Sequence, residues 1–329
     1  MEYSGDHDDF QRLIDPYHHE LLVHCYRILG SFEDAEDALQ EALLRAWRRL
    51  DSLKASTSLR AWLYRIATNV SLDMLDYRKV RSLPNITHEA AAPDAPLPPP
   101  TNEPLWLEPL PDTYIDGQTL SPEARYEIHE SISLAFLMAL QQLPGRQRAI
   151  LILRDVLGWK AQEVADLLEM SVVAVNSGLQ RARVTLKNYQ HKHSGQFIAQ
   201  DANAEIDDLL ARYVLAWETA DSTSLIALLR EDAALTMPPI PTWFGGRTAI
   251  KAFLDDFVFA GQAQGRYRLI AIRANGCPAF ATYQQDEAGI YRPSAIHVLT
   301  ITSNKIVQID DFLTFDGQLF ERFKLPLVG

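Results

Sequence analysis

Residues 160–189 read KAQEVADLLEMSVVAVNSGLQRARVTLKNY, and their spacing decides how the rest of the chain is read. Val164, Leu167 and Leu168 fall on one face of a short helix, and Glu169, Met170 and Ser171 follow as a turn. Val175, Leu179, Ala182 and Leu186 then share one face of a second helix. This spacing predicts a helix-turn-helix, whose second helix enters a DNA major groove. The outward side of that helix holds Asn176, Ser177, Gln180, Arg181, Arg183 and Lys187. Its amides and hydroxyl suit base edges, while its cations suit phosphates or simply solvate the helix. Two residues fit less well, each at a local cost of about 1 kcal/mol: Glu169 at a turn position that favours glycine, and Gly178 inside the recognition helix. Helical patterns over 128–143 and 146–157 extend the motif into an all-α domain over 126–192.

That domain is the only net-basic part of an acidic chain. The 329 residues carry a formal charge of −12, distributed as about −4 over 1–79, −5 over 80–125, +2 over 126–195 and −5 over 196–329. The average acidity argues against a nucleic-acid partner only until the segments are separated. With 47% hydrophobic and 22% charged residues, the chain is globular and long enough for roughly two or three domains of ~100–150 residues. Residues 80–125 hold ten of the 18 prolines with little aliphatic periodicity and read as a Pro-rich acidic linker. The first ten residues contain four acids and no apolar run, and no stretch approaches the ~18 apolar residues of a membrane span. Neither export by a standard signal nor a membrane partner is expected. Cys25 and Cys277 lack any metal-ligand spacing, which fits a reducing cytoplasm and predicts no disulfide or zinc site. No phosphate loop or nucleophile triad is present, so no cofactor is expected.

Residues 1–79 read as a bundle of three main helices. One stripe runs through Phe10, Leu13, Ile14, Tyr17, Leu21, Cys25, Ile28 and Leu29, with Pro16 as a kink. A second runs through Ala35, Ala38, Leu39, Ala42, Ala46, Trp47 and Leu50, entered through Ser31 as N-cap. A third joins Leu59, Trp62, Leu63, Ile66, Val70 and Met74, making Trp62 a core residue. Residues 200–329 differ in kind. An amphipathic helix (Ile206, Leu209, Leu210, Tyr213, Trp217) and a short one near Leu225 precede a strand at 234–237 and a helix at 248–259. Strand patterns then follow at 267–273, 279–285, 294–302 and 305–313, divided by turn signals such as Asn275-Gly276. This order predicts an α+β domain with a curved antiparallel sheet around a helix.

With these segments in place, the chain resembles a known family. DAEDALQE at 34–41 and LRAWLYRIATN at 59–69 are similar to region 2 of the extracytoplasmic-function (ECF) sigma factors of the sigma-70 family. LPGRQR at 143–148, LRDVLG at 153–158 and QRAR at 180–183 resemble region 4. WLEPLPD at 106–112, MPP at 237–239, WFGGR at 243–247 and FERFKLP at 320–326 resemble the subgroup with a fused SnoaL-like domain, a cone-shaped α+β barrel. The resemblance implies a multidomain promoter-recognition subunit whose partners are core RNA polymerase and promoter DNA. It implies that Asp34, Glu36, Asp37, Gln40 and Glu41 grip the polymerase, although acids in a first helical turn also suit the helix dipole. Arg60, Tyr64, Arg65, Thr68 and Asn69, with the loop at 54–58 and Arg78, would take up the separated minus-ten strand, and are otherwise a solvated face. Asn176, Ser177, Gln180, Arg181 and Arg183 would read the minus-thirty-five element.

In the third domain, Trp217, Asp221, Met237 and Trp243, with Tyr283, His297 and Asp311, are candidates to line a pocket for an unknown small molecule. Catalytic relatives pair a carboxylate with a histidine or tyrosine as general acid and base. His297 with Asp311 or Asp221 has that composition, but a strand histidine between aliphatic residues is more often a satisfied core group. No catalytic residue is assigned. The expectation is a regulatory domain on a sigma factor, and the alternative is a bifunctional chain whose third domain binds or turns over a small hydrophobic molecule.

Overall fold

Pro16 lies in a single 3-10 turn, Asp15–Tyr17, between α1 (His7–Ile14) and α2 (His18–Leu29). Gly30, in the left-handed region at φ 74°, ends α2, and Ser31 accepts a hydrogen bond from the Asp34 amide to start α3 (Phe32–Arg48). The kink and the cap stand where the sequence predicts them. The computed structural model describes residues 7–53, 58–77, 80–101, 105–115, 129–192, 204–261 and 263–328. They form two compact units, residues 1–81 with 113–192, and residues 82–112 with 193–329.

α4 (Leu59–Tyr77) follows in the first unit, and its buried side is Leu63, Tyr64, Ala67, Thr68, Val70 and Ser71. The expected stripe is therefore rotated by about one residue, or 100°, and Leu59, Trp62, Ile66 and Met74 are only half-buried. Hydrogen bonding explains the rotation. Thr68 donates to the Tyr64 carbonyl and pairs with His24 Nε2 (2.7 and 2.8 Å), and Ser71 donates to the Ala67 carbonyl (2.8 Å). Hydroxyls satisfied in this way can line a core.

The expected long helix before the helix-turn-helix is interrupted at Ser133, which caps α5 (Leu134–Gln141) through the Phe136 amide. α6 (Gly145–Leu151) runs on into a π-helical turn, Ile152–Val156, and α7 (Ala161–Leu168) and α8 (Val172–Lys192) complete the motif. Glu169 occupies the turn in the left-handed conformation (φ 55°). Gly178 has a packing reason: a Cβ there would lie 2.8 Å from Ile150 Cδ1, so the bare backbone lets α6 approach α8. Arg148, 2% exposed, joins these helices to the first bundle. It donates to the Ile28 carbonyl, to Gln141 Oε1 (2.9 Å), and to the Gln141 and Leu143 carbonyls (3.3 and 3.2 Å). Burial lowers its pKa to about 10, so it keeps its charge at neutral pH.

In the second unit α9 (Ala204–Glu218) and α10 (Ser222–Leu228) lead into β1 (Leu229–Thr236), β2 (Trp243–Gly245) and α11 (Arg247–Phe253). β3 (Tyr267–Ala274), β4 (Cys277–Gln285), β5 (Tyr291–Thr302), β6 (Lys305–Leu313) and α12 (Gln318–Arg322) follow. Among the described residues one six-stranded sheet has the order β2-β1-β6-β5-β4-β3, with only β1 and β6 parallel, giving the α+β fold expected of a SnoaL-like domain. Tyr213 and Trp217 of α9 pack with Phe244, Phe253, Phe280, Leu299 and Ile309 in its core.

Residues 82–112 are part of this unit, which corrects the picture of 80–125 as a plain linker. Leu83, Trp106, Leu107 and Leu110 are buried. Asn85 reaches Gln308 of β6 on the face opposite α9 (3.5 Å), and the Trp243 indole donates to the His88 carbonyl (2.9 Å). The segment ends at the β3–β4 turn. Leu110 N–H donates to Asn275 Oδ1 and the Asn275 amide donates to the Leu110 carbonyl, both at 2.9 Å. Asp112, 2% exposed, accepts from the Gly276 amide (2.9 Å) and Arg273 Nε (3.2 Å). Central positions of β4, β5 and β6 are buried on successive residues, so both sheet faces are covered. Extended proline-rich chain can provide such cover without helical or strand periodicity.

Candidate functional site

α8 presents Asn176, Gln180, Arg181 and Arg183 to solvent, with Ser177 half-buried, while Val175, Leu179 and Ala182 face the core. Ser171 accepts from the Ala174 amide and caps the helix start (3.2 Å). Arg183 grips Asp155 through two hydrogen bonds of 2.7 and 2.8 Å. This face is a helix edge with amides near its N-terminal end and cations further along, as groove reading requires.

The minus-ten candidates separate. A cleft of about 940 Å³ in the first unit is walled by Arg45, Arg49, Arg60, Trp62, Arg65 and Asn69, and across from them by Trp159, Glu163, Asp166 and Glu169. Arg60 is held by Glu20 (2.8–3.0 Å) and stacks over the Tyr64 ring at 4.9 Å, and Arg65 pairs with Glu169. Tyr64 and Thr68 lie inside the bundle at 1% and 0% exposure, so neither reaches the cleft. Tyr64 donates to Glu20 Oε2 (3.2 Å), and burial pushes its phenol well up. Trp62, read from sequence as core, supplies the aromatic face on the cleft wall instead. Residues 54–57 and Arg78 lie outside the described residues.

The polymerase candidates on α3 divide in the same way. Asp37 and Gln40 are exposed, Glu36 is half-buried, and Glu41 is held by Arg45 (2.7 Å). Asp34 is 2% exposed and locked by Arg81 at 2.5 and 3.2 Å, which makes it a bundle ion pair rather than an outward contact.

The seven pocket candidates of the second unit do not form one site. Asp221 is the exposed N-cap of α10, accepting from Ser224 N (3.0 Å) and Oγ (2.5 Å), and these bonds hold its carboxyl below the usual value. Trp243 binds the 82–112 segment, and Tyr283 faces away, donating to the Pro326 carbonyl (2.9 Å). Met237 is buried in the core. Trp217, His297 and Asp311 do meet. His297 and Asp311 are cross-strand partners, with Nε2 and Oδ1 3.3 Å apart but not aligned for a hydrogen bond, and the Trp217 ring is 4.6 Å from the imidazole. Tyr213 OH, 2.9 Å from His297 Nδ1, and Thr282 Oγ1, 3.1 Å from Nε2, complete the cluster. Sequence reasoning missed both, since Tyr213 reads as one more stripe residue. Burial lowers His297 to about 3, while burial and then Asp310 push Asp311 up to about 8. Both groups are therefore mainly neutral near pH 7, and the cluster is a hydrogen-bonding network rather than an ion pair.

Among the described residues no helix is long and apolar enough to cross a membrane. Residues 13–81 match Sigma-70 region 2, and residues 133–186 match Sigma-70, region 4. The chain is 43% identical over 319 residues to the ECF RNA polymerase sigma factor SigG of Mycobacterium tuberculosis, covering 97% of this chain and 84% of that protein. It is 28% identical over 199 residues to SigW of Bacillus subtilis, covering 56% and 90%. The crystal structure of the Mycobacterium tuberculosis ECF sigma factor SigJ superposes with a TM-score of 0.61 at 19% identity, covering 98% of this chain and all of that one, a likeness of fold. Identity of 43% along nearly the whole chain settles the family: this chain belongs to the extracytoplasmic-function sigma factors of RNA polymerase.

Proposed function

We propose that this sigma factor, working in the cytoplasm, is modulated by its second unit through control of residues 82–112, which connect the two promoter-reading halves. In this reading Asp37 and Gln40, flanked by Glu36 and Glu41, grip core polymerase. Arg60, Trp62, Arg65 and Asn69 take the minus-ten strand, and α8 reads the minus-thirty-five element. The observation that carries the modulatory role is the burial of Leu83, Trp106, Leu107 and Leu110 in the second unit. The two elements are some 25 base pairs apart, or ~85 Å at ~3.4 Å per step. A packed unit of ~150 residues has a radius of gyration of only ~15 Å. Reading both elements at once requires the halves to part, and the chain that must then span them is the segment the second unit holds.

The test is run-off transcription with purified core polymerase, comparing the full chain, a truncation after residue 200, and full-length Asp112→Ala. The truncation and Asp112→Ala shift initiation in the same direction if 82–112 is the control element. Equal activity of all three sinks the modulatory role, and failure of all three to initiate specifically sinks the promoter-reading assignments.

One observation favours a second reading, in which the unit binds a small hydrophobic molecule without turning it over. Trp217 Nε1 and Asp311 Oδ1 are buried beside His297 without an aligned hydrogen-bond partner, which costs stability unless a ligand or water meets them. An apolar solvatochromic probe should bind the full chain and be weakened by Asp311→Asn. Equal binding to both, or to neither, removes this reading.

A further inference from the structure

Glycine would fit the turn between α7 and α8 better than the glutamate that stands there. Glu169 ends α7 in the left-handed region at φ 55°, where a Cβ crowds the following carbonyl oxygen and glycine has none. A conformation that glycine adopts freely, held instead by a charged residue, points to a use for the side chain. The Glu169 carboxylate pairs with the Arg65 guanidinium on the opposite wall of the cleft of about 940 Å³.

Arg65 differs from its neighbours in where that partner lies. Arg45 is bonded to Glu41 and Asp73 (2.7 and 3.1 Å) and Arg60 to Glu20 (2.8 Å), all within α2 to α4. Arg65 is held instead from the helix-turn-helix, 104 positions further along the chain. The other acids on that wall are occupied locally. Glu163 accepts from the Lys160 amide (2.7 Å), and Asp166 accepts from Gln162 Nε2 (2.8 Å). Beside the ion pair, Trp159 packs on Tyr64 with ring centroids 5.3 Å apart. The Arg65 and Glu169 side chains are 43% and 75% exposed, so salt reaches the pair.

We propose that Glu169 is a latch: in the free chain its carboxylate occupies Arg65 in place of a minus-ten phosphate, and it lets go when polymerase parts the two promoter-reading halves. Carboxylate and phosphate carry like charge and seek the same donors, so closure of the latch and uptake of the strand exclude each other. The proposal rests on the reading of the cleft wall as the minus-ten site. It adds the side chain that keeps that site shut before assembly.

The experiment compares wild type, Glu169→Gln and Glu169→Gly as full chains. Each free chain is titrated with a fluorescent single-stranded minus-ten oligonucleotide, and its rate of assembly with purified core polymerase is measured by stopped flow. An exposed ion pair shifts an equilibrium roughly 1.5- to 5-fold. Both variants should therefore bind the oligonucleotide more tightly by that factor, and assemble faster by the same factor because a larger fraction is open. The difference should fade as salt approaches ~1 M. Glu169→Gly also relieves the backbone and should melt above Glu169→Gln, so tighter binding by the glycine variant is not a loss of fold. In holoenzyme, where the halves have parted, all three should bind the oligonucleotide alike, and Arg65→Ala should weaken binding. Equal free-chain affinities, or equal assembly rates, overturn the latch and leave the cleft reading standing. Holoenzyme binding that ignores Arg65→Ala overturns Arg65 as a minus-ten contact and the latch with it.

Discussion

Asn275→Gly removes a side-chain bond between the β3–β4 turn and residues 82–112. Asn275 is fully buried at φ 54°, followed by Gly276 at φ 73°, so glycine keeps the turn and its amide bond to the Leu110 carbonyl. The side-chain oxygen that accepts Leu110 N–H at 2.9 Å is lost. Leaving that buried donor unmet costs about 1–3 kcal/mol, and the extra glycine entropy adds about 0.5–1 kcal/mol. Taking 2 kcal/mol, in the lower half of the combined range of about 1.5–4 kcal/mol, local opening of 105–112 becomes about 30-fold more frequent, at ~1.4 kcal/mol per tenfold. Native-state hydrogen exchange reads this directly, because Leu107 N–H, bonded to the Ser82 carbonyl at 2.9 Å, and Leu110 N–H lie in that stretch. Protection there should fall about 30-fold, with β5 and β6 unchanged. Unchanged exchange at 105–112 would refute the turn as the anchor, and equal loss throughout the sheet would show global destabilisation instead.

Trp62→Ala should weaken holoenzyme binding to a single-stranded minus-ten oligonucleotide by about 1–3 kcal/mol, whereas Tyr64→Phe should leave it unchanged, as read by fluorescence anisotropy. The reverse result would return the reading face to the inner side of α4. Arg148→Met strips donors from the Ile28, Gln141 and Leu143 carbonyls and should cost about 3–5 kcal/mol in a urea melt of the full chain. A loss below about 1 kcal/mol would show that the buried guanidinium is dispensable. pH should act on the two units in different ranges, because in the second unit His297, lowered to about 3, offsets Asp311 below pH ~6.5. His24, lowered to about 3 by burial and then by Arg27 and Arg60, binds fewer protons folded than unfolded. The first unit thus loses its contribution as pH falls below ~6.5, about 2 kcal/mol by pH 5. Asp311, raised to about 8, binds more protons folded, so the second unit weakens as pH climbs, by about 2 kcal/mol between pH 6.5 and 8. Hydrogen exchange resolved by unit at pH 5, 6.5 and 8 checks this, and parallel responses would contradict it.

What the sequence made legible was what neighbours in sequence determine. The Ser31 cap, the break at Pro16, the helix-turn-helix spacing and the Asn275-Gly276 turn each depend on a few adjacent residues. The inward side of α4 was misplaced because Thr68 and Ser71 look polar until their local hydrogen bonds are seen. Residues 82–112 were hidden because their bonds are made with partners as far as 223 positions away, which no periodicity records. The pocket candidates failed by strand parity and helix chemistry. Thr282 contacts His297, so its neighbour Tyr283 must turn to the other face. Asp221 before Ser222, Thr223 and Ser224 carries an N-cap signature that the search for carboxylates passed over.

The second unit is discontinuous, and that sets a schedule for its synthesis. Leu83, Trp106, Leu107 and Leu110 leave the ribosome about 200 residues before β6 is complete at Leu313. At roughly 5–20 residues per second, these apolar side chains wait on the order of 10–40 s for the sheet that buries them. In the later part of that interval, after Lys192, both promoter-reading halves have emerged while the segment between them is unclaimed. Newly made chains therefore pass through an interval in which the connecting segment is free, and the second unit ends it only when translation is nearly finished.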